Sequence, residues 1–465
     1  MATPEELHRG ASIFRTLRIK TTNRVGVLAH VLAIVAQHGA SLGDIRTVSI
    51  SPLHRVRDID MGFSDEAAVE ATVAAINACG DAEVLEVRDE VLELHVGGKL
   101  VVRSRYPIRG EADLGRIYTP GVGEVARKIA ADPELAAHYT IRANTVAIVS
   151  DGSAVLGLGN LGPLAALPIL EGKSALLSHL VGVFGVPIAL ATGEPQKMAE
   201  AVAAIAPSFG LIQIEDVAAP ACFEFEEALA ARGVPVFHDD QHGTAAVVLG
   251  ALMNATKLTG RSPERLELGC VGLGAAGNAI ARMAMRWLGR PVWGADIAPE
   301  ALRRLEAQGG RAATLEEVMA RCDVVVATTG RARLIAPELV RPGQIIFALS
   351  NPYPEIEVSE ALKAGAALAT DGRATNNLLA FPGLCRGGLD CGIRRFVPEV
   401  FLAAARAIAE QAPPGMLLPP PLDPAVHRTV ARAVAFAAAE AGVASRPVDE
   451  DYLLEEPRSL AHRLA

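Results

Sequence analysis

The chain lacks any Cys-x-x-Cys pair and any zinc-ligand spacing: Cys79, Cys222, Cys270, Cys322, Cys385 and Cys391 are scattered over 465 residues. A zinc module or disulfide scaffold is therefore excluded, and the cysteines read as reduced thiols of a cytosolic protein. It also lacks a basic run. Lys plus Arg total 44 against 53 Asp plus Glu, a formal charge of −9, which argues against a nucleic-acid surface. The opening MATPEELHRGAS carries two glutamates and no apolar core, so no secretory signal is expected and the chain is placed in the cytoplasm. No internal repeat is found. Long hydrophobic runs are scarce; SALLSHLVGVFGVPIALATG, Ser174 to Gly193, is nearly uncharged, yet its His179, Pro187 and glycines favour a buried helix, a turn and a short strand over a membrane span.

What the chain does have is apolar surface for several cores. Half of its residues are apolar, and its length suggests about three domains. From Phe14 to about Val91 the order reads strand, helix, two strands, helix and a strand through AEVLEVRDEVLEL, a ferredoxin-like βαββαβ unit. Buried strands NTVAIVSDG, GVPIALA, GLIQIED and VPVFHDD follow among helices up to Lys257. From Leu266 to about Thr375 mostly apolar strands alternate with helices, which signals a parallel sheet covered on both faces. The expectation is an α/β chain: a ferredoxin-like unit at 11–92, an α/β domain at 93–257, a Rossmann-type doubly wound domain at 258–395, and a helical tail at 396–465. In the tail, PPGMLLPPPLDP reads as a stiff connector.

LELGCVGLGAAGNAIARM sets Gly272, Gly274 and Gly277, with Ala275 and Ala276 between them, after an apolar strand and at the start of a helix. Glycines there allow a tight turn and close approach of backbone to a pyrophosphate. A second strand, PVWGAD, ends in Asp296, placed to accept from an adenosine ribose 2′-OH and to repel a 2′-phosphate, so NAD is expected over NADP. CDVVVATTG and IIFALSNP, ending in Thr328 and Asn351, bring two more strand ends to the same crevice.

VPVFHDDQHGTAA ends an apolar strand in Asp239 and Asp240, and GLIQIEDVAAP ends another in Glu215 and Asp216. Helix capping accounts for one such acid; several converging acids repel unless a hard dication holds them. An oxygen-only donor set suits magnesium or manganese. His238 and His242 beside it are read as hydrogen-bonded neighbours rather than ligands. Tyr118, in the Pro120–Gly121 turn of RIYTPGVGEVARKIA, and Lys173, alone in the apolar LPILEGKSALL, are the remaining candidates for chemistry.

These blocks carry a resemblance. YTPGV, SDGSAVLGLGNLGPLAALPILEGK, IEDVAAPACFEFEE, VFHDDQHGTAAVVLGALMNA, GLGAAG, LSNP and NNLLAFPGLCRGGLD resemble, in order, the signature segments of the short bacterial malic enzymes, from about Leu92 to Arg395. NRVGVLAHVLAIVAQHGASLGDI resembles an ACT domain. The resemblance implies Lys173 as general base, Tyr118 as general acid, Glu215, Asp216 and Asp240 as metal ligands, and Asn351 and Asn377 as malate-holding residues. Asp239 is then a supporting or capping residue. It implies oxidative decarboxylation of (S)-malate to pyruvate and carbon dioxide with reduction of NAD, by a homo-oligomer, homodimeric or larger.

Lys173 must be neutral to accept a proton near pH 7, and the lack of an Asp next to it fits that need. The ACT-like resemblance implies a small effector near Asn23 and Gly26, or else a dimer-forming module. Two segments depart from the family pattern: Ser178, Val183 and ATGEP follow Lys173, and the run before Asn377 is short. Two competing classes remain: a catalytically inactive metabolite sensor, which needs no intact acids, and a related 2-hydroxy-acid or amino-acid dehydrogenase; an amino-acid dehydrogenase needs no metal.

Overall fold

The computed structural model describes residues 13–155, 158–373 and 375–452; the ends of the expected units at 11–12 and 453–465 lie outside the described residues. The chain divides into two compact units, Met1–Lys99 and Leu100–Ala465.

In the first unit β1 (Ile13–Thr22), α1 (Val27–Gln37), β2 (Ser41–Ile50), β3 (His54–Phe63), α2 (Glu66–Ala78) and β4 (Ala82–Arg88) follow the expected βαββαβ order. The sheet runs β2-β3-β1-β4 with antiparallel neighbours. Alternate residues Leu17 and Ile19 of β1 and Ile59, Met61 and Phe63 of β3 meet Val31 and Ile76 of the helices in one core. Asp65 starts α2 by accepting from the Ala68 N–H. The expected last strand is shorter than its apolar pattern suggests. It ends at Arg88, because Asp89 accepts from the Leu92 N–H and caps a short helix, Glu90–His95.

The second unit contains two parallel sheets. β5 (Thr145–Ser150), α3 (Pro163–Val181), β6 (Phe184–Ala189), β7 (Leu211–Ile214) and β8 (Val236–His238) build the first, in order β6-β5-β7-β8. α3 is the one described helix long and apolar enough to cross a membrane. Here it packs on β5 and β6 and sends Leu170, Leu177 and Leu180 into the core. Gly182 ends it in a left-handed conformation, giving the helix, turn and strand expected of this stretch.

β9 (Leu268–Val271), α5 (Ala275–Leu288), β10 (Trp293–Ala295), β11 (Arg311–Ala312), β12 (Val324–Ala327), β13 (Ile345–Ala348) and β14 (Leu368–Asp371) build the second sheet, in order β11-β10-β9-β12-β13-β14, all parallel. This is the doubly wound order with its reversal between β9 and β12. α4 (Thr244–Leu258) links the two sheets along the chain and is buried continuously from Ala245 to Thr256, because its residues are mostly small or apolar on every side. One core runs from Val146 and Ile148 of β5 through α4 to Leu268 and Cys270 of β9.

The helices after 396 belong to that core. A Cβ on Gly250 of α4 would lie 2.9 Å from the Ala405 carbonyl, so α4 and the helix Pro398–Glu410 approach at backbone distance. The Asn254 amide donates to the carbonyls of Ala409 and Leu417, fixing the proline-rich connector. That connector also lays Leu417 and Leu418 on the core.

Candidate active site

Parallel strands point their carboxyl ends to one edge, and in the first sheet that edge collects acids. Glu215 and Asp216 leave β7, and Asp239 and Asp240 leave β8. Glu215, Asp216 and Asp240 each offer an oxygen within 4.8 Å of the others. Asp216 reaches this position through a left-handed backbone, φ 52°, and its N–H donates to Asp240 at 2.8 Å. Burial, followed among the acid-raising contributions by the charge of Asp240, lifts the Glu215 carboxyl well above its ordinary pKa. A hard divalent cation fits such a donor set, because it removes the repulsion that burial magnifies.

Lys173, midway along α3, stands against this cluster. Its ammonium lies 3.0 Å from Glu215, donates to Asp239, and sits over the Phe381 ring at 4.5 Å. Burial works to lower its pKa, but the charges of Asp239, Glu215 and Asp240 outweigh burial and hold it above the ordinary lysine value. The expectation of a lysine without a carboxylate partner is therefore corrected. Its partners come from β7 and β8, and the absence of an Asp beside it in sequence says nothing about them.

Asp239 does not cap the following helix. Its carboxylate is fully buried and turned to Lys173, and a Cβ on Gly243 would strike it at 1.8 Å. Glycine is required there to leave room for the acid.

Both histidines stand outside the acidic trio. His242 bonds Glu226 at 2.7 Å and stacks on Phe401 at 4.3 Å. His238 is buried with its Nδ1 3.7 Å from Asp240, and burial pushes its pKa below the ordinary histidine value. Sequence reasoning missed Gln213, which hides inside an apolar strand. Its amide donates to Glu215 at 3.1 Å and accepts from the Cys385 thiol at 3.4 Å.

The asparagines and the tyrosine occupy different places. Asn377 opens the turn Asn377–Leu379, which packs against the turn Asp239–Gly243. Asn351 is exposed beyond the end of β13, where a Cβ on Gly372 would lie 2.7 Å from its amide nitrogen. Tyr118 follows the helix Glu111–Ile117, is 66% exposed, and makes no side-chain hydrogen bond with the acidic cluster among the described residues.

At the second sheet's carboxyl edge the glycines divide the work. Gly272 has φ +85° and lies so close to Thr328 that a Cβ would meet its carbonyl at 2.7 Å. Gly277 presses α5 onto the strand, where a Cβ would lie 1.9 Å from the Gly272 carbonyl. Gly274 faces open space, and with Ala275 and Ala276 it begins α5 without a side-chain cap. Open glycine backbone and an uncapped N-terminus are what a pyrophosphate needs.

Asp296 ends β10 as expected; it accepts from the N–H groups of Leu273, at 2.6 Å, and Ala298. It therefore anchors the glycine loop. Buried Glu355, another residue missed in the sequence, accepts from Thr329 and Ser350 and ties together the loops after β12 and β13.

Fold and site together define a pyridine-nucleotide dehydrogenase with an acidic, lysine-bearing side-chain cluster at the edge of its other sheet. The family model of the malic enzyme N-terminal domain matches residues 99–199, and that of the D-isomer specific 2-hydroxyacid dehydrogenase NAD-binding domain matches 229–332. The chain is 46% identical to NAD-dependent malic enzyme 1 of Bacillus subtilis over 92% of its own length and 98% of that protein's. Identity to the NAD-dependent malic enzyme of Geobacillus stearothermophilus is 35%, over 94% and 97%. The crystal structure of a malic enzyme from Pyrococcus horikoshii matches with a TM-score of 0.75 at 37% identity, covering 79% of this chain and 94% of that one. The chain belongs to the malic enzyme family.

Proposed function

We propose that the chain oxidises (S)-malate with NAD and decarboxylates the product to pyruvate, using Glu215, Asp216 and Asp240 to hold magnesium or manganese. The observation that carries this reading is the placement of Lys173 within 3.0 Å of Glu215, itself one of three clustered carboxylates. The relatives named as NAD-dependent malic enzymes support the substrate and the cofactor. A divalent cation held there supplies Lewis acidity to the malate hydroxyl oxygen and to the carbonyl it becomes.

With the charges of Glu215 and Asp240 neutralised by a bound divalent cation, Lys173 would release the proton those carboxylates hold on it; the free amine then takes the hydroxyl proton as hydride leaves for the nicotinamide, and Asp239 steadies the ammonium so formed. The Phe381 ring shields that ammonium from water on one face. Asn351 and Asn377 hold the malate carboxylates, and Tyr118 protonates the enol product. The loop Gly272–Gly277 and Thr328 hold NAD, with Asp296 at the ribose. The N-terminal unit serves as an ACT-like effector or pairing module near Asn23 and Gly26, in a cytoplasmic homo-oligomer.

Purified chain supplied with malate, NAD and manganese should produce reduced nicotinamide and pyruvate, lose activity on chelation and regain it with manganese. Absence of turnover under these conditions would favour an inactive sensor. Turnover of an amino acid that survives chelation would favour the other dehydrogenase class.

A further inference from the structure

Arginine is seldom buried without a charge partner, because removing a guanidinium from water costs more than neutral hydrogen bonds return. Arg57, in the first unit, is 8% exposed. The only described hydrogen bond of its guanidinium runs from Nη1 to the Thr21 hydroxyl at 3.2 Å. It lies on the core face of β3, opposite Ile19 and Thr47. Arg55, two residues earlier on the same face, pairs with Thr21 and Ile50, and its Nε is buried without a hydrogen-bond partner among the described residues.

No described carboxylate lies within ion-pair distance of either arginine. Nearby acids are engaged: Asp81 pairs with Arg24 and accepts from Thr22, while Asp58, on the opposite face, pairs with Arg18 and Arg88. Burial first, and then the like charge of Arg55, presses the Arg57 pKa below the usual arginine value. Two guanidiniums repelling each other at one sheet end call for an anion.

Two further features agree. α1 begins at this end of the sheet, after a left-handed Gly26 with no side-chain cap and no acidic residue in its first turn, so its N-terminal dipole adds positive potential. A Cβ on Gly26 would meet nothing within 4 Å. β2 is exposed along almost its whole length, leaving the Thr47 and Ile50 side of the basin open. Exposed Val25, Ile50 and Leu53 give it an apolar rim; the Asn23 N–H bonds the Leu53 carbonyl, bringing the two loops together.

We propose that Arg55 and Arg57 form an oxyanion site in the N-terminal unit, taking the carboxylate or phosphate of a small ligand. This rests on reading that unit as a ligand-binding module. The Asn23 amide is occupied with the Ser51 and Pro52 carbonyls, so it braces the loop rather than meeting the anion.

The test is calorimetric titration of the full chain, with NAD saturating so that the glycine loop is filled. Inorganic phosphate is used in one arm and straight-chain carboxylates from acetate to hexanoate in the other. Saturable binding is expected in one arm, tightening with chain length if the ligand is a carboxylate lying along the rim. Arg57→Gln should weaken it at least about tenfold, an effect of about 1.4 kcal/mol, and leave kcat with malate unchanged. Arg55→Gln, at the more exposed position, should act in the same direction and covers the case of a misfolded Arg57 variant.

Folded variants that bind with unchanged affinity would overturn the proposal, as would a wild-type chain that binds neither class. Binding lost in Gly26→Val but kept in both arginine variants would retain the effector reading and remove the arginine site. A change of subunit number in Arg57→Gln, with no anion bound by the wild type, would assign the missing carboxylate to a second copy of the chain and overturn the site as well.

Discussion

The two parallel sheets of the second unit present their carboxyl ends in different ways. The six-stranded sheet offers backbone: an open Gly274, an uncapped α5, and glycines that remove Cβ atoms where chains nearly touch. The four-stranded sheet offers side chains, with Lys173, Asp239, Glu215 and Gln213 in one buried network. A backbone site tolerates any residue that leaves the turn intact. A side-chain site depends on each partner, since removing one leaves a buried charge uncompensated, which costs about 3–5 kcal/mol.

Single substitutions should expose this contrast. The largest effect is expected for Lys173→Ala, which should lower kcat by about 10²–10⁴-fold, the usual worth of a general base, while leaving NAD affinity within about twofold of wild type; equal loss of both in kinetics and fluorescence titration would give the lysine a structural role instead. Next is Gln213→Leu. It frees one Glu215 oxygen, and manganese affinity measured by electron spin resonance should fall about 10–100-fold, as for other residues that orient metal ligands; an unchanged affinity would show that the strand alone aims Glu215.

Asp296→Ser should narrow the preference for NAD over NADP by about tenfold, or about 1.4 kcal/mol. Because Asp296 also anchors Leu273, NAD affinity should fall too. Unchanged discrimination in paired KM measurements would mean the ribose is read elsewhere.

The smallest effect concerns pH. His427 is fully buried, with Nε2 on the Pro421 carbonyl, and burial lowers its pKa despite the raising influence of Pro421 and Asp423. With the folded value below the unfolded one near ~6.5, its neutral form contributes full stability above that pH. The contribution is lost as pH falls through the folded value, with a slope of at most about 1.4 kcal/mol per pH unit. His427→Gln should flatten this part of the melting-temperature profile; an identical profile would assign the loss to other groups.

The contrast also explains what the sequence made readable. Glycine spacing, strand-end acids and period-two alternation are local patterns. The doubly wound sheet, the βαββαβ order, the glycine loop and the convergence of acids from the ends of two strands could all be anticipated from them, whereas the choice of Glu215, Asp216 and Asp240 among those acids came from the family resemblance. Pairing across the chain is not local. Lys173 and Asp239 are 66 residues apart, and nothing beside either one announces the other. Gln213 looks like an interruption of an apolar strand and Arg57 like one of several charged residues of an alternating one, and only burial shows them to be polar groups that need partners. Asp89 shortened a strand whose apolar pattern ran on, since one side-chain hydrogen bond at a helix start outweighed weak strand propensity.

The left-handed backbone of Asp216 has a consequence for how this protein can be improved. That conformation costs a non-glycine residue on the order of 1 kcal/mol, and it is kept in a cluster already crowded with like charge. Heat-tolerance screens run without divalent ions should therefore enrich glycine at 216. The hardier proteins they yield would be poor catalysts, so robustness and turnover have to be selected together, with the metal present.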